Sequence, residues 1–538
     1  MQLALRAVLQ DRFCRNLLIS GVALHLMLAF SFHLSPDETH YALYAVNPAW
    51  SYFDHPPLVG WLQWPWAHLP FVGASDVAMR IVPMLCWLLA AVLLPAFTFV
   101  LFGTTMAPAA NDAPLLRGAL LLWCLAPMAH LLGLALVPDT LLMPLVLVVM
   151  LLTWRLCDPM RVHQWRRWAV LGLALGLAGL TKYTAIFIGL GAALALLMAH
   201  GARVLLLPGA WLGIAVAVLM ITPVIAWNAT HEWISLAYQS GHAAGSQEWL
   251  LRRVIVYKLV QVLGYGALLA VGVVASLWMR RAVLAATANS AAASGSARAP
   301  GTLSPLALCL CFGVPPLLLL VFLSGRGSTL PHWSVSAWLA LAPAAAAGCL
   351  ALWQRRSPVA RRWLAGLGVF QALCVAGLLA LMLTSGVQRE GGEDVKSLPG
   401  KVPATASFNP FTDLYGWDAA AARARTLAEN NGKPTLAVMN WTLASRIAWY
   451  AQAPTKVVQR HLDQFGLWWG VLQPGENALV VDWSQMSFLP PVGPNEFERC
   501  DLIEQLPVMR LGRQVAHFNF QLCKNWQGPK ESALDRRK

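Results

Sequence analysis

The sequence predicts a mainly α-helical membrane protein. It is a polytopic bundle of about eleven transmembrane helices, with amphipathic helices in its first outer loop and a soluble α/β domain at the C-terminus. Three observations predict this. Of 538 residues, 58% are hydrophobic and only 12% are charged, whereas soluble domains carry about a quarter charged residues. Mean hydropathy is +0.56. Apolar stretches of bilayer-spanning length recur up to about residue 385, where the composition turns polar. The net charge of +14 does not point to nucleic acid, because the arginines sit mainly in short loops between apolar segments, where they set orientation.

Taken in order, Arg6, Arg12 and Arg15 precede an apolar run from Leu17 to Leu34 with no small-residue cleavage site after it. A retained first helix is expected. On a ruler of about 20 residues per span, further helices fall near 79–102, 118–136, 138–155, 168–181, 183–199, 204–227, 254–278, 305–323, 332–353 and 363–385. With the N-terminus cytoplasmic, the inner loops hold Arg6, Arg12, Arg15, Arg117, Arg155, Arg161, Arg166, Arg167, Arg203, Arg280, Arg281, Arg298, Arg355, Arg356, Arg361 and Arg362. The short outer loops hold only Lys182, Arg252, Arg253 and Arg326, with Arg80 at an edge. Positive charge favours the inside, so the first long loop and the C-terminal region are expected outside. Residues 285–301 read as a small-residue cytoplasmic linker.

Two domains are expected: a membrane module, 1–385, and an exported α/β domain, 386–538. In the latter a helix runs from Asp418 towards Gly432, and another from Thr442 to Gln452. The segments TLAVMN and ALVVDW read as buried strands, and MRLGRQVAHFNFQL alternates like a strand or hairpin. Cys500 and Cys523 lie in this domain, where an oxidising compartment favours a disulfide. The other eight cysteines lie in or beside the membrane helices and read as core residues.

Chemistry concentrates in the first loop, Ser35 to Trp61. It holds Asp37, Glu38, Asp54, His40, His55, Tyr41 and Tyr52, and no Lys or Arg. Polar groups in so apolar a chain mark function. Ser35-Pro36-Asp37-Glu38 is also a helix start, so Glu38 is equally well explained as a capping-box partner. Asp37 is not needed for that cap. Pro138-Asp139-Thr140 lies at the outer mouth between two helices, where Asp139 is a candidate site residue and capping of the next helix, with Thr140 helping, is the lesser alternative. Lys182, in GLTKYTA, and Arg326, in SGRGSTLPHW, break the inside-positive pattern. Cations there suit a departing phosphate. Arg252 and Arg253 are better explained by snorkelling to headgroups, with Lys258 beside them. His332 reads first as an interfacial anchor. No Cys/His cluster has zinc spacing, and no phosphate-binding glycine loop is present.

Together, Asp37-Glu38-x-x-Tyr41, Tyr52-Phe53-Asp54-His55-Pro56-Pro57-Leu58, Pro138-Asp139-Thr140, Leu180-Thr181-Lys182-Tyr183 and Leu330-Pro331-His332-Trp333 resemble the GT-C superfamily of glycosyltransferases. The nearest resemblance is to bacterial relatives of the protein O-mannosyltransferases and of the lipid A aminoarabinose transferase. It covers residues 15–385, and the C-terminal domain resembles the tails of such proteins. The resemblance implies a sugar donor on a polyprenyl phosphate and an acceptor met outside the inner membrane: lipid A, an envelope glycan or a protein. It implies Asp37 as base or acceptor-orienting group, with Asp54 and Asp139 as the other catalytic acids. Glu38, His40, Tyr41, Tyr52, His55, Lys182, Arg252, Arg253, Lys258, Arg326 and His332 would hold the donor phosphate and sugar. His55 stands where aminoarabinose transferases carry Lys, and His40 where they carry Arg. No metal ligand set is expected, although a divalent cation bridging Asp37 and the phosphate stays open. The functional expectation is an inverting, polyprenyl-phosphate-sugar-dependent glycosyltransferase of a bacterial inner membrane. Its rival is a transporter or flippase of polyprenyl-linked sugars.

Overall fold

The structure is a computed structural model that describes residues 1–70, 75–103, 112–244, 248–279, 303–327, 329–355, 357–384 and 411–537. The expected 285–301 linker, with Arg280, Arg281, Arg298 and Arg356, lies outside the described residues. The chain divides into two compact units. The first comprises Met1–Ala29, Ala49–Val59 and Arg80–Ala376; the second comprises Phe30–Pro48, Gly60–Met79 and Gly377–Lys538.

The first unit is helical. Among the described residues, eight helices are long and apolar enough to cross a membrane, or ten if each of two bent pairs is one span. The segment expected at 168–181 is a helix, Trp165–Thr181, of only 17 residues. The chain is therefore a multi-pass membrane protein. The bent pairs are Ala113–Cys124 with Pro127–Leu134, at 67°, and Leu251–Tyr265 with Ala267–Trp278, at 98°. Their bends have local causes. Pro127 opens the second helix of one pair, and Gly266 joins the other at a φ of 102°, which glycine tolerates at little steric cost. Gln371, buried in the helix Pro358–Thr384, serves both breaks. Its amide donates to the Leu125 carbonyl at 3.2 Å, and its oxygen accepts from the Leu268 amide at 2.8 Å. Backbone freed in an apolar medium needs such partners. Elsewhere small residues bring helices into contact: a Cβ at Gly172 would lie 2.2 Å from the Gly213 carbonyl oxygen.

The second unit contains a five-stranded sheet. Its strands are β1 (Thr435–Val438), β2 (Lys456–Val457), β3 (Ala478–Trp483), β4 (Phe497–Arg510) and β5 (Arg513–Trp526), in the order β2-β1-β3-β5-β4. β1 pairs parallel with β2 and β3, while β5 pairs antiparallel with β3 and β4. β3, ALVVDW, is buried at every position, as the continuous apolar run predicts. The helices Trp417–Asn430 and Trp441–Ala451 accompany the sheet, and Trp417, Trp449, Trp483 and Trp526 are fully buried. Cys500 and Cys523 are directly opposed on β4 and β5 and joined by a disulfide.

Asp482, on β3, accepts from the Ser487 hydroxyl at 3.0 Å and the Phe488 amide at 3.1 Å. Burial nevertheless pushes its carboxyl up to about 6 from 3.8. A raised carboxyl means that the native state holds the proton more tightly than the unfolded chain. Its contribution is therefore most favourable below about pH 4 and declines as pH rises through about 6, by about 3 kcal/mol in all. Amide exchange in β3 and β5 is expected to slow as pH is lowered from 7 to 5, after correction for intrinsic rates. Asp482→Asn is expected to abolish that dependence.

The first-loop helix Pro36–Val46 belongs to this unit. Ser35 caps it, with Glu38 closing the capping box: the Glu38 carboxylate accepts from the Ser35 amide at 2.9 Å. Residues 38–45 are buried throughout, so the helix is covered on all sides and is not an exposed amphipathic one. The Tyr450 hydroxyl accepts from the Leu34 amide at 2.7 Å and donates to Asp76 at 2.9 Å. The sequence therefore separates in space differently from in order: the acidic helix packs with the C-terminal α/β fold.

Candidate active site

In the first unit the helix Pro138–Leu156 begins with Val137 at its N-cap and no side-chain cap bond. Capping thus does not explain Asp139. Thr140 fixes the turn by donating to the carbonyls of Leu132, at 3.0 Å, and Ala135, at 2.9 Å. Asp139 is 1% exposed and Lys182 is 6% exposed. Lys182 Nζ donates to Asp139 Oδ2 at 2.7 Å. His332 Nε2 stands 3.6 Å from the same oxygen, and His55 is near enough to act on it electrostatically. Asp139 Oδ1 is buried without a hydrogen-bond partner among the described residues. Lys182 therefore does not snorkel to water. Its ammonium also lies 5.2 Å from the centre of the Trp333 ring, a favourable cation–π geometry.

His332 is held by residues that sequence reasoning missed. Gln261 donates to the Pro331 carbonyl at 2.9 Å and accepts from Trp338 Nε1 at 2.7 Å and from the Ser334 hydroxyl. The Tyr265 hydroxyl reaches the Pro331 and His332 carbonyls at 3.2 and 3.3 Å. One lone glutamine in the apolar run LVQVLGYG was the available signal.

The loop around Asp54 is equally built. His55 Nδ1 lies 3.1 Å from Asp54 Oδ2. The buried Tyr52 hydroxyl accepts from the Ala49 amide at 3.1 Å, and burial pushes that phenol up. From the helix Ile234–Ala244, Ser235 donates to the Tyr52 carbonyl at 2.8 Å and Gln239 to the Asp54 carbonyl. Tyr52 thus supports the loop through its hydroxyl. Arg252 and Arg253 line a cavity of about 410 Å3 with Tyr257, Ser324, Thr329 and Pro331. Arg253 also donates to the Glu248 carbonyl at 2.8 Å. Lys258 is half-buried one turn further on, and Arg326 is exposed.

In the second unit, Asp37 is half-buried, and no hydrogen bond or ion pair among the described residues engages its carboxylate. The sequence shows no cation in the first loop, and the cation on which the Asp37 charge acts lies in the C-terminal fold. Arg446, on the helix Trp441–Ala451, is near enough to feel the Asp37 charge. Its guanidinium donates to Asp413 and lies 4.3 Å from the Trp417 ring centre and 5.5 Å from that of Trp483. Burial pushes the Asp413 carboxyl up, Arg446 pulls it down, and the Asp37 and Glu38 charges push it up again. His40 is buried among Tyr41, Tyr44, Trp441, Phe465 and Trp468, with ring centres 5.2–6.2 Å away. Tyr41 is buried beside it. Among the described residues, no group of three or more His, Cys, Asp or Glu side chains could hold a metal ion.

Residues 54–227 match a family model described as dolichyl-phosphate-mannose-protein mannosyltransferase. That stretch contains Asp54, His55, Asp139 and Lys182. No curated protein sequence matches the chain. Among solved structures, ArnT from Cupriavidus metallidurans in the apo state matches with a TM-score of 0.58 at 16% identity, covering 94% of this chain and 97% of that one. The same protein bound to undecaprenyl phosphate matches with a TM-score of 0.59 at 16% identity and the same coverage. The chain shares the fold of these two ArnT structures.

Proposed function

We propose that this chain, on its GT-C scaffold, transfers a sugar from a polyprenyl-phosphate carrier to an acceptor outside a bacterial inner membrane, with inversion at the anomeric carbon. The observation that supports this most is the buried Asp139–Lys182 pair with His332 beside it. Ionised groups inside membrane bundles are costly and mark function. The bound undecaprenyl phosphate in the ArnT structure supports a polyprenyl-phosphate ligand for the same fold. In this reading the Arg252–Arg253 cavity takes the carrier phosphate, with Lys182, Arg326, His332, Asp54 and His55 ordering the sugar phosphate. Asp37 takes the acceptor proton. The acceptor oxygen attacks the anomeric carbon, the carbon–oxygen bond to phosphate breaks, and its electron pair leaves on the phosphate. Cations stabilise that charge, and backside attack in one step inverts the centre. Lipid A, an envelope glycan and a protein are the candidate acceptors.

Two broken helices would also suit a transporter, whose discontinuous helices present backbone to substrate. Here Gln371 engages backbone at both breaks, which favours a structural role for them. The test is purified protein with a polyprenyl-phosphate sugar and candidate acceptors, read by mass spectrometry, beside lipid A and envelope glycans from a deletion strain. Loss of one sugar in the strain and its transfer in vitro are expected. Vesicles in which the lipid crosses the bilayer without any transfer would favour the transporter.

A further inference from the structure

The β4–β5 hairpin closes in a two-residue turn, with Arg510 paired to Arg513. Leu511 and Gly512 both lie in the left-handed region, at φ 48° and 75°. A turn of this kind favours Asn-Gly or Asp-Gly, and an L-residue other than these adopts the left-handed region at a steric cost. Leucine here gains no burial in return: Leu511 is 70% exposed and Met509 is 55% exposed. A local rule broken without an internal gain points to something outside the fold.

The hairpin's root is fixed. Val508 is buried against Gly416, where φ is 84° and an added Cβ would lie 2.8 Å from a Val508 methyl. Arg510 donates to the Leu383 carbonyl at 3.4 Å and stacks 3.8 Å from the Tyr415 ring centre. The Tyr415 hydroxyl donates to the Met382 carbonyl at 2.9 Å. Leu383 and Met382 end the 27-residue helix Pro358–Thr384, whose last turns from Gly377 belong to the same unit as the hairpin. At about 1.5 Å per residue that helix spans about 40 Å, the thickness of a bilayer with its headgroups. A helix of that length set across a bilayer ends in the headgroup layer, and Arg510 of the hairpin meets this helix at that end.

We propose that the tip of the β4–β5 hairpin inserts Met509 and Leu511 into the lipid headgroup boundary, with Arg510 and Arg513 at the level of the lipid phosphates. Apolar residues between arginines are what an interfacial anchor needs. Two side chains are far too few for a stable protein interface, which takes about 800 Å2 per partner.

The experiment uses the full chain in phospholipid nanodiscs. A photo-crosslinking phenylalanine analogue replaces either Leu511 or Leu502, which is 56% exposed but about 30 Å back along β4 at the usual strand rise. Phospholipid adducts are expected from position 511 and none from position 502. In parallel, Leu511→Asn is expected to keep or raise the thermal stability, because Asn suits the turn. The same variant should lose the protection from amide exchange that nanodisc lipids give residues 508–514. Adducts at 511 only to water or protein, equal adducts at both positions, or unchanged protection in Leu511→Asn would each overturn the proposal.

Discussion

Asp37→Asn is expected to lower sugar transfer by about 10²–10⁴-fold, the usual cost of losing a general base, while the chain stays folded. The substitution keeps size, and the helix start does not depend on Asp37, because Ser35 and Glu38 close the capping box between them. No hydrogen bond or ion pair among the described residues occupies the Asp37 carboxylate, so it is available to an acceptor hydroxyl. Removing its charge relieves the push that it exerts on Asp413 and gives up its attraction to Arg446, which keeps its direct ion pair with Asp413. Glu38→Gln is expected to cost far less, since Gln completes a capping box as well. Transfer from a polyprenyl-phosphate donor by folded, purified variants decides the matter. Near-normal turnover in Asp37→Asn would remove Asp37 from the role. An equal loss in Glu38→Gln would shift it to the pair.

Much of the architecture was legible because membrane spans announce themselves by length and apolarity. The runs at 81–102, 138–156 and 305–324 stand within three residues of the expected segments. The breaks were not legible by hydropathy, since Leu125-Ala126 and Gly266 are themselves apolar; only Pro127 and Gly266 hinted at them. The sheet's central strands read correctly because TLAV and ALVV are continuous buried runs. The partnerships were the illegible part. Asp139 and Lys182 stand 43 residues apart, and Arg446 lies some four hundred residues from Asp37. Pairings at such separations are set by tertiary packing, and nothing local encodes them. For the same reason the aromatic surroundings of His40 were not legible.

Lys182→Ala is expected to destabilise the membrane unit by about 3–5 kcal/mol, the usual cost of stranding one charge of a buried pair. On sequence alone Lys182 stands at a turn between helices, where a cation contributes little to stability. The structure reverses that expectation. Lys182 is 6% exposed, its partner Asp139 is 1% exposed, and Asp139 Oδ1 already lacks a hydrogen bond among the described residues. Without Lys182, His332 at 3.6 Å is the one cationic candidate left touching the carboxylate among the described residues, and it compensates only when protonated. A loss of donor binding in Lys182→Ala would therefore be confounded by unfolding. The pair separates the two effects. Lys182→Met with Asp139→Asn removes both charges and keeps volume, so most of the stability should return, because replacing a whole buried pair is often nearly neutral. Transfer should not return, since the groups assigned to ordering the sugar phosphate are gone. Thermal unfolding in detergent gives the first quantity, and the sugar-transfer assay gives the second. If the double variant is as unstable as Lys182→Ala alone, charge burial is not what holds this site. If it is stable and fully active, the pair is structural and the donor site lies elsewhere.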